Sequence, residues 1–242
     1  MEKQVFGPLS CYVVDHQVTD NQPDLAVILC HGYGAGGDDL VPLADETGRH
    51  LSQGLGVRFV FPEAPLKLEE MVGYDARAWW ELSLNRLLTA IESGQVDVLR
   101  EVRPEGLDDS REKLKQSCEA ILSAAGLSWN ETILGGFSQG AMITTDLALR
   151  LDPGPRHLVV MSGTLLNEKE WRELASQRSP LSVLQSHGKL DPVLPFQAAE
   201  WLTELFREYE FPLEMLAFMG PHTIHPEMIT KVADRLNAMG AA

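Results

Sequence analysis

Short, uninterrupted apolar runs alternate along this chain with longer segments whose apolar residues recur at helical spacing. The runs occupy 25–30, 57–62, 132–137, 157–162, 181–186 and 213–218. None alternates strictly between apolar and polar residues, which predicts strands buried on both faces, as in a parallel sheet. The intervening segments predict helices on both faces of that sheet, over 38–53, 109–125, 139–151, 167–176, 196–209 and 226–239. We therefore predict an α/β fold with a mostly parallel central sheet, and an antiparallel edge strand over 10–15.

The region 63–107 interrupts this alternation, because it is too long for an ordinary strand-to-helix loop. Apolar residues recur at helical spacing over 84–99, so a small ordered insertion is expected there. Trp79 and Trp80 lie near its start, and two roles are open to them: core packing, or the wall of a substrate pocket. A chain of 242 residues, 44% of them hydrophobic, is ordinary for one α/β domain, so we expect a single domain over 1–242.

The formal net charge of −15 excludes some classes of partner, and other sequence features indicate the compartment. Nucleic-acid phosphates and anionic membrane surfaces would repel this chain, so neither is an expected partner. No segment approaches the roughly 20 apolar residues of a membrane span, and the N-terminus lacks the pattern of a secretory signal. Three widely spaced cysteines favour free thiols over disulfides or a zinc site. We expect a cytoplasmic protein with no stable membrane anchor, and a homodimer as one expected assembly.

Ser138 lies between two glycines in "LGGFSQGAM" (134–142), directly after a predicted strand and before a predicted helix. Such a serine is either a helix cap or a nucleophile, and these letters alone do not decide between them. Gly136 and Gly140 favour the nucleophile, because a Cβ at either position would clash at a tight strand-to-helix bend. The serine itself is then expected to adopt a strained backbone conformation at the start of the helix.

A nucleophilic serine needs a base, which must itself be oriented by a carboxylate. Asp191 follows the predicted strand 181–186, at the carboxyl edge where such sites gather. An Asp before Pro is also a common turn residue, and Asp191 can serve both roles. His222 lies in the loop after the last predicted strand, whereas His225 precedes Pro226, a residue typical of the first helical position. We expect His222 to be the base and His225 to cap the helix or face solvent.

The oxyanion that forms during acyl transfer requires two positioned N–H donors. One is expected from the backbone of Gln139, the residue after the nucleophile. The other is expected from the glycine-rich stretch "LCHGYGAGGDDL" (29–40), with the backbone N–H of Tyr33 as the candidate. In the same stretch, His31 is expected to fix the turn through a hydrogen bond.

Six motifs, in order along nearly the whole chain, resemble the phospholipase/carboxylesterase family of α/β-hydrolases, which includes bacterial carboxylesterases and acyl-protein thioesterases. They are "HGYGAGGDD", "FPEAP", "ARAWWEL", "GGFSQGA", "HGKLDPVLP" and "PHTIHPE". The resemblance implies an α/β-hydrolase fold, a Ser138, Asp191 and His222 triad, and no metal or organic cofactor. It also places the oxyanion donors at Tyr33 and Gln139. The implied substrates are carboxylic esters, lysophospholipids or acyl thioesters.

Two features depart from the family pattern. Pro221 stands where the family commonly has Gly before the histidine, which removes an N–H and stiffens the approach to His222. The segment 82–107 is also longer than the usual connection and is expected to reshape the acyl pocket. The leading hypothesis is a serine esterase that acts on a small-molecule ester through an acyl-enzyme. The alternative is a catalytically silent ligand-binding or interaction protein on a hydrolase scaffold.

Overall fold

A computed structural model describes residues 1–68, 75–82 and 97–241 of the chain, and within them an eight-stranded sheet. The strands are β1 Glu2–Phe6, β2 Leu9–His16, β3 Leu25–Cys30, β4 Val57–Pro62, β5 Leu66–Lys67, β6 Arg77–Ala78, β7 Thr132–Phe137, β8 His157–Met161, β9 Ser182–Gly188 and β10 Leu213–Phe218. Eight of these strands form the sheet, in the order β1-β2-β4-β3-β7-β8-β9-β10, and β5 pairs with β6 in a separate two-stranded sheet. Strands β4, β3 and β7 to β10 are parallel, whereas β1 and β2 are antiparallel to their neighbours. The predicted mostly parallel sheet is therefore confirmed.

Helices cover both faces of the sheet. They are α1 Pro42–Gly48, α2 Val98–Glu101, α3 Leu107–Ala125, α4 Gln139–Arg150, α5 Glu168–Gln177, α6 Phe196–Glu208 and α7 Pro226–Gly240. One core cluster joins the sheet to α3, α4, α5 and α6, and a second joins the opposite face to α1 and α7. Among the described residues, none of the helices combines the length and apolar character needed to cross a bilayer.

Continuous apolar strands form where the sheet is covered on both sides. Every residue of β3 is buried, and its side chains divide between the two clusters: Ile28 and Cys30 enter one, Val27 and Leu29 the other. Because successive strand residues point to opposite faces, a strand in this position has no solvent face to occupy with polar residues. This is why the apolar runs identified the central strands to within one or two residues.

The prediction of an edge strand over 10–15 is wrong in its position. β2 is antiparallel, as expected, but it pairs with both β1 and β4 and lies inside the sheet. The edge belongs to β1, whose residues are mostly exposed and mostly polar, so the hydrophobic pattern contains no signal for it. Gly7, with a φ of 57°, turns the chain between the two strands.

Two other predictions differ in extent. The helix expected over 38–53 is shorter and begins at Pro42, after a series of turns. The expected insertion at 63–107 lies partly outside the described residues, and so does most of its predicted helical segment, 84–99. The described part of this region contains β5, β6 and α2.

The bend between β7 and α4 depends on two glycines. A Cβ on Gly136 would lie 2.5 Å from the carbonyl oxygen of Cys30, and a Cβ on Gly140 would overlap that same oxygen. The obstacle in both cases is backbone, which cannot rotate away as a side chain can. The sequence-based reason for these glycines therefore matches the packing of α4 against the end of β3.

Gly140→Ala is expected to lower the free energy of unfolding by about 3 kcal/mol, because the methyl group forces α4 away from β3. The measurement is urea denaturation followed by circular dichroism. Gly126→Ala is the control: its Cβ would meet no atom within 4 Å, although its φ is 68°. The control should cost only about 1 kcal/mol of backbone strain. Equal losses in the two variants would contradict the packing argument.

Candidate active site

Ser138 occupies a strained elbow between β7 and α4. Its backbone has φ 55° and ψ −119°, outside the regions that non-glycine residues normally adopt, and its N–H donates to the carbonyl oxygen of Met161 at 2.8 Å. Its side chain makes no capping hydrogen bond to α4 and is partly exposed. The helix-cap interpretation of this serine therefore fails on geometry.

Asp191 lies in the loop after β9, and both of its carboxylate oxygens are engaged. Oδ1 accepts from the backbone N–H groups of Val193 and Leu194 at 2.8 and 2.9 Å, and Oδ2 accepts from Nδ1 of His222 at 2.6 Å. Burial raises the pKa of Asp191, but the hydrogen bonds outweigh it and hold the pKa below its usual value. Asp191 thus forms the turn before Pro192 and also anchors the histidine.

His222 is held between Asp191 and the residue before the serine. Its ring packs on Phe137 with 4.8 Å between ring centroids, and its side chain is 15% exposed. Because the ionised Asp191 accepts a hydrogen bond from Nδ1–H, the neutral imidazole carries its free lone pair on Nε2. The structure therefore places the His222 ring against Phe137, the residue that precedes Ser138.

His225 has a different role. Its Nδ1 accepts from the backbone N–H of Glu227 at 3.3 Å, so it is the N-cap of α7, with Pro226 as the first helical residue. Its ring contacts Phe218, 4.9 Å between centroids. Of the two histidines in this loop, the structure brings His222 to the acid and uses His225 to begin a helix.

The acid loop and the histidine loop are joined directly. The backbone N–H of Lys189 donates to Phe218 at 2.8 Å, and that of Leu190 donates to Gly220 at 3.0 Å. Two hydrogen bonds immediately before Pro221 fix this part of the loop without an N–H from residue 221. The proline, a departure from the family pattern, is thus accommodated while His222 still reaches Asp191.

The glycine-rich loop after β3 runs beside the serine. A Cβ on Gly32 would lie 3.3 Å from Cβ of Ser138, so Tyr33 follows a residue that lies close to the serine. His31 fixes this turn: its Nε2 accepts from the backbone N–H of Ala64 at 3.1 Å, which leaves Nδ1 to donate to the carbonyl oxygen of Gly32 at 2.8 Å. Burial lowers the pKa of His31 and keeps this neutral tautomer.

Trp79 and Trp80 are completely buried in the larger core cluster. Core packing, one of the two roles left open for them, is therefore what the structure shows. A role in the wall of a substrate pocket stays a prediction. The structure instead ties Trp79 to the site: its Nε1–H donates to the carbonyl oxygen of His31 at 3.0 Å. The side chain of Gln139 binds the same segment, accepting from the backbone N–H of Trp79 and donating to the carbonyl oxygen of Trp80. From the sequence, only the backbone N–H of Gln139 is expected to take part in the site.

His187 is a second residue that sequence reasoning passed over. Its Nε2 lies 2.8 Å from the carbonyl oxygen of Leu194 and 3.3 Å from Oδ2 of Asp191, so one N–H faces both acceptors. Burial lowers its pKa, which favours the neutral ring. Its presence in the quoted motif "HGKLDPVLP" was the available signal, but the pattern does not reveal which backbone oxygen it meets.

The three cysteines are buried and free, as expected. Burial raises the pKa of Cys11 to about 12 and the pKa values of Cys30 and Cys118 well above the usual thiol range. A thiol that stays protonated is a poor nucleophile, so Ser138 has no competitor among the cysteines. Within residues 1–68, 75–82 and 97–241, no three His, Cys, Asp or Glu side chains are grouped to hold a metal ion.

A cavity of about 560 Å³ opens beside the glycine-rich loop, lined by Tyr12, Tyr33, Gly34, Ala35, Gly36, Gly37, Asp38, Asp39 and Asp75. It adjoins Tyr33, but neither Ser138 nor His222 lines it. The hydrogen-bonded pair of Asp191 and His222 locates the chemistry more directly than the cavity does. Glycines 32, 34 and 37 also have G-x-G-x-x-G spacing, but the next helix begins only at Pro42, so they do not open a helix as in a dinucleotide-binding loop.

Comparison with known proteins places these features in a family. Residues 14–239 match the phospholipase/carboxylesterase family. Acyl-protein thioesterase 1 of Debaryomyces hansenii is 23% identical over 216 residues, 88% of each chain. Acyl-protein thioesterase 1 of Eremothecium gossypii is 29% identical over 211 residues, 84% of this chain and 83% of that protein.

Solved structures agree with the fold. Esterase PE8 superposes with a TM-score of 0.76 at 25% identity, covering 96% of this chain and 99% of that one. The Bacillus cereus carboxylesterase has a TM-score of 0.67 at 15% identity, covering 96% and 95% of the two chains, a likeness of fold alone. With the order of the sheet and the match over most of its length, this chain has the α/β-hydrolase fold and belongs to the phospholipase/carboxylesterase family.

Proposed function

We propose that this protein is a serine hydrolase that cleaves carboxylic esters or acyl thioesters through an acyl-enzyme intermediate. One observation carries the proposal: the uncapped Ser138 on a strained elbow directly follows Phe137, whose ring packs on an imidazole that donates its Nδ1–H to a buried carboxylate. A scaffold that only bound ligands would have no need to strain Ser138 or to bury Asp191. Family membership supports ester hydrolysis as the reaction class.

The proposed mechanism builds on the hydrogen bond between His222 and Asp191. Ser138 Oγ attacks the carbonyl carbon while Nε2 of His222 takes its proton, and Asp191 stabilises the imidazolium that results. His222 then returns the proton to the leaving alcohol or thiol. Water, deprotonated by the same imidazole, releases the acyl group. Throughout, the backbone N–H groups of Tyr33 and Gln139 are the proposed donors to the oxyanion.

The substrate range follows from relatives rather than from the cavity. Acyl-protein thioesterases and carboxylesterases both break the bond between an acyl carbon and its leaving oxygen or sulfur, so the proposed substrates are short or medium acyl and aryl esters, lysophospholipids and acyl thioesters. Esters and thioesters of graded acyl length would separate these classes. The longest acyl chain turned over at full kcat/KM measures the depth of the pocket.

Ser138→Ala should lower kcat for p-nitrophenyl acetate by at least about 10,000-fold, because no other group can form the acyl-enzyme. Ser176→Ala, at an exposed serine of α5, is the matched control and should keep wild-type turnover. A fluorophosphonate should label wild type once, at Ser138. Undiminished hydrolysis by Ser138→Ala would refute the mechanism, and an unlabelled, inactive wild type would favour a non-catalytic binding protein.

Substitution of the two histidines in the last loop should have different effects on turnover and on stability. His222→Ala is expected to lower kcat by about 10,000-fold, since the base is lost. His225→Ala removes a helix cap and should cost about 1 kcal/mol of stability while changing kcat less than about threefold. Steady-state kinetics and urea denaturation on both variants give the comparison. The reverse pattern would exclude His222 as the base.

The charge on Asp191 should appear in the pH dependence of stability. Its pKa is lower in the folded protein than the roughly 3.9 of an unfolded chain, so the carboxylate stabilises the fold above that pH. The stabilisation is lost as the pH falls through the folded pKa. The stability difference between wild type and Asp191→Asn should therefore be widest above pH 4 and narrow below it. Asp234→Asn, at an exposed site on α7, controls for removal of a charge; a difference that widened in acid would contradict the assignment.

A further inference from the structure

The side chain of Gln139 is bound at both ends of its amide. Oε1 accepts from the backbone N–H of Trp79 at 2.9 Å, and Nε2 donates to the carbonyl oxygen of Trp80 at 2.8 Å. A flipped amide would set donor against donor and acceptor against acceptor, so the orientation is fixed. The residue is 1% exposed, so these bonds form in the interior of the protein. The amide therefore holds the first residue of α4 rigidly to residues 79 and 80.

The segment 77–80, which we name the brace, is also bound to the glycine-rich loop. Before Tyr33, the carbonyl oxygen of His31 accepts from the indole of Trp79 at 3.0 Å. After Tyr33, the N–H of Gly34 donates to Arg77 at 2.8 Å, and the N–H of Arg77 donates to Ala35 at 3.0 Å. The brace thus holds the loop on both sides of Tyr33.

The brace is itself well supported. The carbonyl oxygen of Trp79 accepts from the hydroxyl of Ser110, on α3. Both tryptophan rings are fully buried in the core. The segment that meets Gln139 on one side and the loop of Tyr33 on the other is therefore fixed to the body of the protein rather than carried by a surface loop.

Two N–H donors from segments far apart in sequence stabilise an oxyanion only when their spacing is set before the reaction. The β7–α4 elbow and the glycine-rich loop touch where Gly32 meets Ser138, and this contact lies one residue before each proposed donor. The brace binds both, through the Gln139 amide and the Trp79 indole. We infer that Gln139 is a positioning residue: its side chain, through the brace, fixes the distance between the backbone N–H groups of Tyr33 and Gln139. This inference rests on the proposed hydrolase function.

A purely structural role would have a different signature. If the Gln139 amide only satisfied two buried backbone groups, its loss would lower stability and leave turnover by the folded enzyme unchanged. If it sets the donor spacing, its loss lowers kcat with little change in KM, because the oxyanion forms only in the transition state. The two roles are separable by kinetics on folded protein.

The first test compares Gln139→Met with Gln185→Met. Gln185 is also fully buried and bound at both ends, donating to the carbonyl oxygen of Ala199 and accepting from the hydroxyl of Thr203. Both variants should lose comparable stability in urea. Only Gln139→Met should lose kcat for p-nitrophenyl acetate, by about 30-fold, with KM within about threefold, a part of the 100- to 1,000-fold that losing a donor costs.

The second test uses Gln139→Glu and the pH profile. The ionised carboxylate cannot donate to Trp80, whereas the protonated acid restores both hydrogen bonds. The ratio of variant to wild-type kcat should therefore rise at least about tenfold from pH 9 to pH 6, since burial raises the pKa of a carboxyl group into this range. Taking the ratio cancels the pH dependence of the catalytic base.

Trp79→Phe keeps an aromatic ring, though a smaller one, and removes the donor to His31, so it tests the brace even if the Gln139 variants fail to fold. It too should lower kcat and not KM. Wild-type kcat in folded Gln139→Met, a pH-independent ratio in Gln139→Glu, or wild-type kcat in Trp79→Phe would each overturn the inference. If the wild type does not hydrolyse esters, or hydrolyses them without needing Ser138, the proposed function is overturned and this inference with it.

Discussion

The close approach of α4 to the end of β3 is the constraint from which the site follows. The helix starts so near the carbonyl oxygen of Cys30 that neither Gly136 nor Gly140 has room for a Cβ. This contact forces the sharp bend at Ser138 and brings the serine against Gly32 of the neighbouring loop. The strain at one residue is maintained because packing on both sides of it is fixed.

Hydrogen bonds to a buried charge position the other part of the candidate site, Asp191 and His222. A buried carboxylate is costly unless its oxygens are hydrogen-bonded, and Asp191 meets that requirement with two backbone N–H groups and an imidazole. The same bonds close the turn at Pro192 and orient His222. Local chain geometry and the charge state of the acid therefore depend on one set of contacts, which is why an Asp before Pro can be both a turn residue and a functional one.

The sequence predicted the central strands well because burial on both faces leaves a continuous apolar run, as in β3 and β4. It also indicated which residues meet at the carboxyl edge, since their order along the chain and the direction of parallel strands determine that. It missed β1, whose mostly exposed and mostly polar residues carry no periodic signal. It also missed the second role of Gln139 and the contact of His187, because both bind backbone atoms of segments distant in sequence. Such partners follow from how loops pack, which hydrophobic periodicity does not encode.

The burial of Cys11, Cys30 and Cys118 has a practical consequence for work with this protein. With their pKa values raised, these sulfurs stay as thiols at neutral pH and lie out of reach of maleimides and iodoacetamides. A single cysteine introduced on the surface would then be the one position that such reagents modify in the native state. Fluorophores or spin labels can therefore be attached at a chosen site without first removing the natural cysteines, whose replacement would disturb the core.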